Sequence, residues 1–162
     1  LIEPISKEFL ECKKKNDFER DEVILYNPSK TSVIMKKLLE RKEFVFLPLQ
    51  GYNIDQLIDI YSKAKLYIDF GDFNGPERIP KEAVYFGCSI LVGKKNAAKN
   101  SFDVAIPNKY KIKNYNNVDL VSRKIRDMLF NYEKNIKEFD EFKIKISKLE
   151  VNFINQISEI FC

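Results

Sequence analysis

The chain has 162 residues, 44% hydrophobic and 32% charged, which suits one globular domain with a core of its own. It contains no histidine, so a Ser-His-Asp triad, a Cys-His pair and a His-bearing metal site are all excluded within it. Lys and Arg total 28 against 24 Asp and Glu, and the resulting +4 is too small by itself to imply a nucleic-acid surface.

The cationic surplus is uneven. Residues 107–150 hold 11 cations and 7 anions, whereas residues 1–106 hold 17 and 16. A solvated helical surface, a face for a polyelectrolyte or a face for a membrane surface would each produce that bias. Cys12, Cys88 and Cys162 are far apart and form no CxxC, so neither a disulfide framework nor a thiolate metal site is expected, and a cytoplasmic setting follows. No run of eighteen apolar residues and no signal-peptide pattern occurs. The start at Leu1 rather than Met is expected of a fragment of something longer.

Residues 1–21, with Lys13, Lys14 and Lys15 in the middle, read as a linker or N-terminal arm. Residues 22–26 are a β-rich run ended by Asn27-Pro28-Ser29, and residues 33–39 have helical apolar spacing. Residues 44–47 predict a second strand, closed by the segment from Pro48 to Gly51. Asn53 then caps a helix with Leu57, Ile58, Tyr61 and Ala64 on one face, and residues 66–70 predict a third strand. A loop from Gly71 to Arg78 leads into a short helix over about 79–86, followed by a strand at 88–92. Weaker strands are expected at 104–106 and 110–112, and residues 113–117 form an Asn-rich loop. From Asn117 onward the pattern is helical, with a last helix over 137–160 whose stripe runs Phe139, Phe142, Ile146, Leu149, Phe153, Ile157 and Ile160.

Continuously apolar strands alternating with helices predict an α/β fold: a Rossmann-like three-layer sandwich on a parallel sheet over 22–134, with C-terminal helices over 135–162 packed on or crossing from it. In such a sheet ligands bind outside the carboxyl ends of the strands, where the loops 27–31, 48–53 and 71–78 should converge. The third loop enters a helix with Pro80 in the first turn, where a missing N–H costs nothing. Free amides and the positive end of a helix dipole make that start a natural phosphate site, with Arg78 beside it. Glu82, one turn in, either accepts two hydroxyl hydrogen bonds from a ribose or stabilises its own helix start.

The segment from Asn74 to Ile90, with Glu82-Ala83 and Gly87 in register, resembles the donor-binding half of GT-B glycosyltransferases, in the large family with a Glu, seven residues, then Glu. The upstream run from Gly51 to Ala64, carrying Asp55, Leu57, Tyr61 and Ala64, is similar to that family's helix before the third strand. The resemblance covers residues 22 to about 134. It implies that Glu82 holds ribose hydroxyls and that the amides of Arg78 and Ile79 face the diphosphate. It further implies that Gly51, Tyr52, Asn53 and Ile54 border the nucleobase, that Gly75 lets backbone approach the donor sugar, and that Lys30 matches the phosphate-binding lysine. Two positions depart from the family: its first Glu is Asn74 here, and the usual Arg before the lysine is absent. Asn can hydrogen-bond a hydroxyl but carries no charge, so an altered donor sugar or a divergent subfamily is implied.

The function expected on that resemblance is transfer of a sugar from a nucleoside diphosphate donor to a glycan or lipid-linked acceptor, in bacterial surface polysaccharide assembly. This chain would be the donor half, lacking an N-terminal acceptor domain, cytoplasmic and near the inner face of the membrane. No metal or other cofactor is expected, because no Asp-x-Asp motif occurs and a helix start with Arg78 and Lys30 can stabilise a departing diphosphate. Two other readings stay open. One is a non-catalytic scaffold of the same fold. The other is a phospho-receiver, for which Asp69 stands at the right strand end but Tyr26-Asn27-Pro28 replaces the acidic pair that would hold Mg²⁺. Gly-x-Gly-x-x-Gly and Walker motifs are absent, and Phe73, Tyr85 and Phe86 read as core residues rather than a base-stacking platform.

Overall fold

A computed structural model describes residues 5–12, 19–30, 32–72, 77–101 and 103–161. Five strands form one sheet: β1 (Asp21–Tyr26), β2 (Val45–Pro48), β3 (Ala64–Asp69), β4 (Ser89–Gly93) and β5 (Lys111–Ile112), in the order β2-β1-β3-β4-β5 and all parallel. The helices are α1 (Lys7–Glu11), α2 (Val33–Leu39), α3 (Ile54–Lys63), α4 (Arg78–Tyr85), α5 (Val118–Phe130), α6 (Tyr132–Asn135) and α7 (Asp140–Phe161). The expected α/β class and parallel sheet are thus observed, with element ends displaced by one to three residues.

The register explains why the central strands are apolar along their whole length. Ile24, Leu25, Leu66, Tyr67, Ile68, Ile90 and Leu91 pair across β1, β3 and β4, and all are fully buried because helices cover both faces. α2 packs against α5, while α4 packs against α7 and α1 against α3. α2 leads back to β2, whereas α3 and α4 lead the other way across the sheet; right-handed crossovers, the rule for such units, put the two directions on opposite faces. The order in which the chain adds strands therefore reverses between β1 and β3, the point at which the loops of such a sheet part and leave a crevice.

Where the chain enters α3, Gly51 has φ +79°, a turn that a side chain would resist although nothing lies within 4 Å of its Cβ position. Asn53 accepts from the Gln56 amide at 2.9 Å while the Gln56 side chain accepts from the Asn53 amide at 3.0 Å, a reciprocal cap. At their other ends α3 and α4 share a cation. Arg20 donates to the carbonyls of Tyr61 (2.9 Å), Ala64 (2.7 Å) and Phe86, acceptors left over in the last turns of the two helices. The Tyr132 hydroxyl donates to the Gly87 carbonyl at 2.6 Å, joining α6 to the same corner.

Two expectations are corrected. Residues 104–106 form no strand: Val104 and Ile106 are buried as apolar plugs, but the buried Lys111 donates to the carbonyls of Asn100 (2.8 Å) and Val104 (2.7 Å), so a side chain replaces the ladder there. The last helix begins at Asp140, after a 3₁₀ turn over Ile136–Phe139. Phe139, Phe142 and Ile146 from its stripe are buried, whereas the side chains of Ile157 and Ile160 lie outside the described set. Within the N-terminal arm, the segment from Ile5 to Cys12 docks through Ile5 and Phe9, each 3% exposed or less. Among the described residues no helix is long and apolar enough to cross a membrane.

Candidate functional site

The loop after β1 is shaped by Asn27, whose side chain accepts from the Ser29 amide (3.0 Å) and hydroxyl (2.7 Å). That turn presents Lys30 to the crevice, where its ammonium pairs with Glu77 and lies 3.5 Å from Asp69. Asp69, at the end of β3 and 3% exposed, also accepts from the Tyr67 hydroxyl (2.9 Å) and the Gly71 amide (2.8 Å). Burial, and then the neighbouring Asp69 carboxylate, raise the Tyr67 hydroxyl's pKa, so it stays a donor. A Cβ on Gly71 would stand 2.9 Å from the Lys30 Cβ. Gly71→Ala therefore crowds Lys30 out of place, and a loss of about 1–3 kcal/mol in denaturant unfolding is expected; an unchanged midpoint would show that the loop simply shifts aside.

A second feature lies beside it. A cleft of about 690 Å³ is lined by Tyr52, Asn53, Ile54 and neighbouring residues at the start of α3, by Arg78 at the start of α4, and by Ser6, Glu8 and Phe9 at α1. The amides of Arg78 and Ile79 open α4 without an intrahelical partner, Pro80 has no amide, and Glu77 gives no side-chain cap because it is turned to Lys30. Arg78 is more than half exposed, and its Nε lies 3.0 Å from Oε1 of Glu82.

Glu82 itself is 1% exposed. Its Oε2 accepts from the Tyr61 hydroxyl at 3.1 Å, while Oε1 faces Arg78 with no properly angled hydrogen bond. Tyr61 stacks on Phe86 with ring planes 5° apart, and Phe9 meets Phe86 edge-on at 5.7 Å, so an aromatic floor lies around the carboxylate. Burial raises the Glu82 pKa, opposed first by Arg78 and then by the Tyr61 hydrogen bond. A carboxyl whose folded pKa lies above its unfolded value favours folding only below the unfolded value, and loses that contribution as pH rises through the folded one. Glu82→Gln is therefore expected to exceed the wild type in stability near neutral pH, with the gain shrinking towards pH 4; a pH-independent difference in thermal unfolding would contradict a charged, buried Glu82.

Of the ten residues expected at the site, Tyr52, Asn53, Ile54 and Arg78 meet in the cleft, whereas their chain neighbours Gly51 and Ile79 do not line it and Ile79 packs against the core. Glu82 sits in the interior, held from two sides. Lys30 belongs to the crevice with Asp69 and Glu77 rather than to the cleft lining. Asn74, Gly75 and Phe73 lie outside the described residues. Tyr85 and Phe86 are buried, as core residues should be. The sequence reading missed Tyr61, Glu77 and the wall supplied by α1; the Ile5 and Phe9 spacing of four was the available signal for that wall.

Comparison with protein-family models, with curated proteins and with solved structures finds no match to this chain.

Proposed function

We propose that this chain is the donor-binding half of a GT-B-type glycosyltransferase, holding a nucleoside diphosphate sugar in the cleft between α1 and the starts of α3 and α4. One observation carries the reading: Tyr52, Asn53 and Ile54 converge with Arg78, from a separate crossover helix, on one cleft at the carboxyl ends of the parallel strands, above Glu82. The base would lie against Tyr52 to Ile54 and the diphosphate against the amides of Arg78 and Ile79. Swinging the exposed Arg78 side chain onto phosphate frees Oε1 of Glu82 for a ribose hydroxyl, while Tyr61 keeps Oε2 in place. As the sugar leaves, negative charge grows on phosphate oxygen, and the helix amides and Arg78 stabilise it. The general base and the acceptor, a glycan or lipid-linked saccharide of surface polysaccharide assembly, belong to another domain, so this chain alone binds donor and transfers nothing.

The scaffold reading has its own observation: Lys30 is already met by Glu77 and Asp69, as a site with no ligand to hold would arrange it. Titration with UDP, GDP and ADP separates the two. For a donor domain, one nucleotide at a hundred times its Kd raises Tm by roughly 5–10 °C, Arg78→Ala weakens that binding about tenfold or more, and EDTA leaves it intact. Failure of all three nucleotides to shift Tm sinks the donor reading.

A further inference from the structure

A second cavity, of about 430 Å³, opens at the β5 edge of the sheet, away from the donor cleft, and is lined by Lys109, Ile112, Leu120, Arg123, Lys124 and Asp127. Its character follows from α5: residues 120, 123, 124 and 127 share one helical face, which leans on the short final strand. The ammonium groups of Lys109 and Lys124 stand 5.1 and 5.0 Å from the centroid of the buried Tyr110 ring, so the ring's negative face gathers two like charges.

Their counter-charges leave one cation of the cavity over. Lys109 pairs with Glu138 at 2.6 Å, and Lys124 lies 3.8 Å from Asp127, whose carboxylate also accepts from Asn131 at 2.7 Å. Arg123, exposed on the same face, makes no ion pair among the described residues. The cavity thus holds three cations against one lining carboxylate, with Ile112 and Leu120 as an apolar wall.

We propose that this cavity binds a small amphipathic anion, its carboxylate or phosphate on Arg123 with Lys124 and its apolar body against Ile112 and Leu120. A free inorganic anion leaves the apolar wall wet, and an apolar cation meets three like charges, so both ends of the ligand are specified. The site is independent of the donor cleft, and neither reading needs the other.

The test is titration of the ¹⁵N-labelled full chain with octanoate and octyl phosphate, with inorganic phosphate and octylammonium as controls. Saturable amide shifts confined to Ile112, Leu120 and Arg123 and their neighbours are expected with one or both amphipathic anions; which of the two binds tighter identifies the head group. Arg123→Gln, an exposed position that leaves folding intact, should weaken binding about tenfold, and Leu120→Ser should weaken octanoate more than phosphate. Equal shifts from octylammonium, shifts scattered over the surface, or unchanged binding in Arg123→Gln would each overturn the proposal.

Discussion

Arg20→Met is expected to lower the stability of the domain by about 3–5 kcal/mol. The guanidinium donates to the carbonyls of Tyr61, Ala64 and Phe86, and its carbon lies 5.8 Å from the Tyr132 ring centroid. Two of those carbonyls also accept from the Cys88 thiol, at 3.2 and 3.4 Å, a weak donor that cannot replace a cation. Methionine fills part of the space but leaves helix-terminal carbonyls buried with too few donors, at the negative ends of two dipoles. Arg20→Lys should recover only part of the loss, because one ammonium cannot span three acceptors in the fixed fork of a guanidinium. Urea unfolding monitored by circular dichroism measures both; a loss below about 1 kcal/mol for Arg20→Met would mean that water satisfies these carbonyls. Gly87 belongs to the same arrangement, since with φ +95° its Cβ position falls 2.5 Å from the Arg20 Nη2.

Asp69→Ala is expected to cost about 3–5 kcal/mol, for a different reason. The carboxylate answers three donors at once, the Tyr67 hydroxyl, the Gly71 amide and Lys30, in a place where only 3% of the residue is exposed. Alanine leaves a fully buried phenol without an acceptor and Lys30 with Glu77 alone as its counter-ion of those two. Asp69→Asn keeps one acceptor oxygen and should lose less than half as much. Denaturant midpoints give the size, and the amide resonance of Gly71 gives the site: it should move strongly in both variants. A near-neutral Asp69→Ala would show that Asp69 is an ordinary strand-end residue with its donors met by solvent.

The strands and helices were legible because their signals are local. Ile24-Leu25, Leu66 to Ile68 and Ile90 to Val92 are continuous apolar runs, and Asn53 with Gln56 three residues later marks a helix start. Strand order was less legible, since nothing in residues 45–48 says that β2 lies outside β1. At the site, the loops could be named but their pairings could not. Tyr61 and Glu82 are 21 residues apart, and Lys30 and Glu77 are 47 apart, so only the folded crossovers bring them together. Glu82 could be read either as a ribose ligand or as part of its own helix start, because its helix position was readable while Tyr61's orientation was not. Residues 104–106 misled for the converse reason: Val104 and Ile106 have strand-like side chains, but Lys111, seven residues from Val104, supplies the bond that a neighbouring strand would have made.

The shared cation at the far ends of α3 and α4 has a mechanical consequence for the cleft at their near ends. The two helices are pinned at Arg20 like the legs of a pair of dividers, with legs of 10 and 8 residues. At 1.5 Å per residue, a pivot of about 5° about that pin moves the tips apart by only about 1 Å. On such a pivot the span between the starts of the two helices changes by about 1 Å, so the aperture answers to a residue at the opposite end of the sheet from anything it would grip.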